Sequence, residues 1–113
     1  MKKLTYYSTN NPNERVDFET ALLKGMAKDY GLFMVARDDV PVLGHDLIRR
    51  MRTMSYAEIA FEVLNPYLWA EIPEDDLRLI LNDAYREDKI PTHVQHVIGN
   101  TYIMWLTQGP TYS

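Results

Sequence analysis

The stretch SYAEIAFEVLNPYL, Ser55 to Leu68, decides what kind of fold this chain can adopt. Ser55 and Glu58 fit a capping box: the serine oxygen takes a free helix amide and the glutamate reaches back to the serine backbone. Ile59, Ala60, Val63 and Leu64 then recur at helical spacing and define an apolar face. Asn65-Pro66 is expected to end the helix, since proline removes a donor and clashes with the preceding turn. A second helix is expected to open at Pro73, a residue suited to a first turn. Glu74, Asp75 and Asp76 sit where the helix dipole favours anions, Leu77, Ile80, Leu81 and Ala84 face inward, and Arg86 and Lys89 occupy the far end.

Upstream, LTYYST (Leu4 to Thr9) is aromatic and β-branched and reads as a strand, broken by the turn chemistry of NNPNE. Asp17 caps a helix whose Phe18, Leu22 and Met26 form one face, with Gly25 and Gly31 as stop positions. GLFMV (Gly31 to Val35) reads as a buried strand, VPVLG (Val40 to Gly44) as an extended connector, and Asp46 to Arg52 as a short helix. Downstream, two strands are expected near Val94 to Ile98 and Thr101 to Thr107, joined at Gly99-Asn100. The last is apolar on both alternating sets, which predicts cover on both faces. The order is that of an α+β domain: a small sheet of short strands packed with about three to four helices, residues 1–113 forming one domain.

Bulk composition excludes several functions. Net charge is −4 and the densest basic cluster is Arg49, Arg50 and Arg52, so there is no cationic stripe to release counterions from nucleic acid. No apolar stretch approaches the roughly 20 residues that span a bilayer, and no apolar segment follows Lys2-Lys3 as in a signal peptide. The absence of cysteine removes disulfides, thiolate metal sites and a cysteine nucleophile, and is compatible with a cytoplasmic home.

The polar clusters have plain explanations. His93 and His96 could share a metal on a helix, but Pro91 and the β-branched surroundings argue against one, and no third ligand is near. His45 reads as a loop residue, and Asp38-Asp39 as a solvated loop. Ser8 and Thr9 could offer hydroxyls to a phosphate, although strand ends carry such residues routinely. No glycine-rich phosphate cradle occurs. Composition, spacing and periodicity alone identify no active site.

Read as one line, the chain resembles the N-terminal domain of threonine synthase. YYST at Tyr6 to Thr9 is similar to the family's opening Y-x-S-T, and VDFETALLKGMAKDYGLFM at Val16 to Met34 to its V-S-F-x-x-A-L-L-x-G-L-A-x-D-G-G-L-Y. SYAEIAFEVLNPYL, IPEDDLRLILNDAY and the closing NTYIMWLTQGPTYS continue the series in family order. Departures occur at Asn10-Asn11, where the family has Arg-Gly, at Tyr30-Gly31, where it has a double glycine, and at Gln108, where it has histidine.

The resemblance implies a pyridoxal-phosphate lyase that converts O-phosphohomoserine and water into threonine and phosphate. The family's cofactor lysine follows Gly-Pro-Thr in a Phe-Lys-Asp context that none of Lys2, Lys3, Lys24, Lys28 and Lys89 shares. The chain is therefore expected to be an N-terminal domain lacking the catalytic body of its own polypeptide, inactive alone, with no bound cofactor and no metal. Thr111 and Ser113 are then the residues expected nearest substrate or cofactor, followed by Ser8 and Thr9. A stand-alone interaction module is the competing expectation. A free-standing domain should cover Trp105, Leu106 and Tyr112 or carry polar residues in their place, because large exposed apolar patches mark interfaces; here they remain apolar, which favours the fragment. A small enzyme using His93 or His96 as base is a distant third.

Overall fold

The computed structural model describes residues 2–86, 88–90 and 93–105. Nine strands and α-helices follow in order among the described residues: β1 (Tyr6–Ser8), β2 (Asn11–Val16), α1 (Phe18–Lys24), β3 (Phe33–Val35), α2 (His45–Arg50), α3 (Tyr56–Leu68), α4 (Glu74–Ala84), β4 (Val94–Ile98) and β5 (Thr101–Met104). The class is α+β as expected, with the strands divided between an antiparallel sheet of order β2-β1-β3 and a separate β4-β5 hairpin.

The core lies between α3 and α4. The capping box at Ser55 forms as read: the Glu58 amide donates to Ser55 Oγ at 3.3 Å and the Ser55 amide donates to Glu58 Oε2 at 2.6 Å. Ala60, Phe61 and Leu68 of α3 meet Leu77 and Leu81 of α4, with Phe18, Leu64, Tyr67, Ile72 and Tyr85 packed around them. Pro66 does not end α3, which runs on to Leu68. An interior proline costs about 3 kcal/mol. The extra turn buries Leu68 and packs Tyr67, and the Trp69 amide still reaches Asn65 O at 2.9 Å. Ile80, expected inward, is 54 % exposed. Helix α4 ends at Ala84, so Arg86 and Lys89 lie past it, both paired with Asp83.

β2 is a strand where turn chemistry predicted a break. It is an edge strand, and an edge tolerates Pro12 because a missing amide there costs no ladder bond on the solvent side. The turn signal is nonetheless real: Asn11 Oδ1 accepts from the Asn13 amide at 3.1 Å, and the register with β1 shifts between Tyr7 and Ser8. β3 is also an edge, and its Met34 is exposed rather than buried as expected. The predicted face of α1 likewise fails: only Phe18 joins the core, while Leu22 and Met26 are exposed. α1 is just seven residues long, and Gly25 at φ +70° closes it before Met26.

The C-terminal strands form where read, turning at Gly99 with φ +55°. The cover expected on both faces of the last strand is not seen: every residue of β5 is exposed, as is every residue of β4. Leu106 and Thr107, the predicted end of the last strand, lie outside the described residues.

Candidate functional site

Sequence reading singled out Ser8 and Thr9, which stand at the end of β1 against the turn Asp29–Leu32. Ser8 is wholly buried. Its Oγ donates to Asp29 Oδ1 at 2.6 Å and accepts from the Asn10 amide at 3.2 Å. Asp29 Oδ1 also accepts from the Gly31 amide at 3.0 Å, and Asn10 Nδ2 donates to Asp29 O at 3.0 Å. Thr9 is exposed and clamps the opposite strand, with its amide donating to Leu32 O and its Oγ1 accepting from the Leu32 amide, both at 2.9 Å. The two segments thus close on each other through side chains at both ends.

Gly31 is the residue this closure requires. A Cβ there would overlap Ser8 Oγ and stand 2.9 Å from Asn10 N and 3.0 Å from Asp29 Oδ1. Tyr30 precedes it in the left-handed region at φ +64°, a conformation that favours glycine. Two hydrogen bonds, from Ser8 first and from the Gly31 amide second, hold the Asp29 carboxyl below its ordinary pKa. Its Oδ2 is buried with no partner among the described residues. The Ser8 hydroxyl has a donor and an acceptor inside the protein, so it is committed to the fold, whereas the Thr9 hydroxyl keeps its proton to donate outward.

A second remote clamp sits at the start of α1. Asp17 Oδ1 accepts from the Thr20 amide at 2.9 Å. Glu71, from the α3–α4 connection, accepts from the Phe18 amide at 3.2 Å and the Glu19 amide at 2.9 Å, with Lys3 Nζ 3.4 Å away. Two carboxylates therefore satisfy three of the amides that a helix start leaves free. Sequence reading found Asp17 and missed Glu71; partners this far apart leave no local spacing signal.

None of the other flagged groups among the described residues assembles into chemistry. His93 stands beside Trp105 and His96 beside Tyr102, with His96 Nε2 2.9 Å from Gly99 O. No cluster of three metal-ligating side chains exists among the described residues, and no helix there is long and apolar enough to cross a membrane. The depression beside the α3 capping box is floored by Phe61, on which Arg78 stacks at 3.5 Å while Glu74 holds its guanidinium. Thr111 and Ser113 lie outside the described residues.

Comparison with known proteins gives this arrangement its family. The family model described as the threonine synthase N terminus matches residues 5–85, which takes in the Ser8–Asp29 closure, the Glu71 clamp and the α3–α4 core. The chain belongs to the threonine synthase N-terminal family. It is 32% identical to the threonine synthase of Schizosaccharomyces pombe over 98% of its own length and 22% of the relative's. The Methylobacillus glycogenes threonine synthase is 31% identical, with 96% and 24% covered. Among solved structures, the pyridoxal-phosphate-bound threonine synthase of Brucella melitensis superposes with a TM-score of 0.81 at 29% identity, over 96% of this chain and 23% of that one. The chain thus spans about a quarter of the length of the threonine synthases it matches.

The described residues do not fit a pyridoxal-phosphate site. Such a site needs a lysine sheltered beside the cofactor. Here Lys2 pairs with Asp39 at 2.9 Å, Lys3 approaches Glu71, Lys89 pairs with Asp83 at 2.8 Å, and Lys24 and Lys28 are exposed. None of the five lysines among the described residues is therefore a sheltered amine of that kind.

Proposed function

We propose that this chain is the N-terminal domain of a threonine synthase, working in the cytoplasm. The parent enzyme converts O-phosphohomoserine and water into threonine and phosphate with pyridoxal phosphate. The domain packs against the catalytic body and walls one side of the substrate cleft. It supplies no cofactor lysine and is inactive alone. Thr111 and Ser113 approach the reacting groups, and Thr9 is the second candidate at the cleft rim. Ser8 acts behind it, holding the turn that carries Thr9 and Asn10.

The observation that carries this reading is the family match over residues 5–85 together with the fold shared with the cofactor-bound Brucella melitensis enzyme. Trp105 adds support: a free-standing module would cover it, and it is 44% exposed. The test is complementation. A chimera in which this chain replaces the corresponding N-terminal segment of the Escherichia coli threonine synthase, a solved relative at TM-score 0.79, should restore growth of a threonine auxotroph. The chain alone should not. Growth rescued by the chain alone, or a stable chimera that never rescues, contradicts the proposal.

A further inference from the structure

We draw no further inference here: the strongest candidate, the depression between α3 and α4 floored by Phe61 and lined by Ser55, Glu58, Arg78 and Asn82, has its guanidinium held by Glu74 and its carboxylate held by the Ser55 amide, and nothing among the described residues points to a ligand it would take.

Discussion

Ser8 Oγ donates to Asp29 Oδ1 at 2.6 Å, joining the end of β1 to a turn 21 residues further along the chain. The bond is part-buried, with Ser8 itself wholly buried, and the same Asp29 oxygen takes the Gly31 amide. Ser8→Ala removes the donor without changing the backbone, leaving a half-buried carboxylate short of one partner. Thermal unfolding should shift down by roughly 5–10 °C. An unchanged Tm would show that the closure is ornamental to stability.

Adjacent residues in that turn should respond with opposite signs. Tyr30 is a non-glycine residue at φ +64° and is largely exposed, so Tyr30→Gly relieves left-handed strain and should stabilise by about 0.5–1 kcal/mol after the unfolded-state entropy of glycine is counted. Gly31→Ala drives a methyl into Ser8 Oγ and should destabilise by about 1–3 kcal/mol. Denaturant melts of the two variants check the pair. Equal signs would contradict the geometry.

Glu71 should behave as a helix cap supplied from a distance. Glu71→Ala strips two amides of α1 of their acceptor and should cost about 1–2 kcal/mol. Asp17→Ala should cost about 1 kcal/mol, and the double variant should depart from additivity because both carboxylates serve the same turn. Urea titrations of the cycle measure this directly. Strict additivity would mean that the two caps act independently.

How far the fold could be read depended on whether its causes are local. Ser55 with Glu58, and Asp17 before Phe18, announce helix starts because a cap and its amide lie within one turn. Gly99 announces a turn because its φ is positive. Pro66 misled because its penalty is local while the burial of Leu68 that outweighs it is tertiary. β2 was hidden because Asn and Pro spell a turn, and only its edge position makes them compatible with a strand. At the site, Ser8 and Thr9 were visible as hydroxyls, yet their division into one buried and one exposed depends on Asp29 and Leu32 across the sheet.

Acid should loosen the clamps in a defined order of cause. Asp17 is held below its ordinary pKa by Thr20, Asp29 by the Ser8 hydroxyl and then the Gly31 amide, and Glu58 by the Ser55 amide and then its hydroxyl. A depressed folded-state value means that the folded protein binds fewer protons than the unfolded chain. Stability from these groups is therefore fully present above the ordinary carboxylate range near pH ~4 and is lost as pH falls through the depressed values. Melts between about pH 7 and pH 2 should show a steady fall in Tm below about pH 4, shallower in Asp29→Asn. Asp29→Asn melting in parallel with the parent would remove Asp29 from that set.

The most direct measurement is phosphate release from O-phosphohomoserine, made on the chain alone and on the chimera with the Escherichia coli catalytic body, each with pyridoxal phosphate. The expected result is no release above background from the chain alone, and threonine formed in step with phosphate by the chimera. Release by the chain alone, or a folded and cofactor-loaded chimera that releases none, would contradict the assignment of this chain as the wall of a threonine synthase cleft.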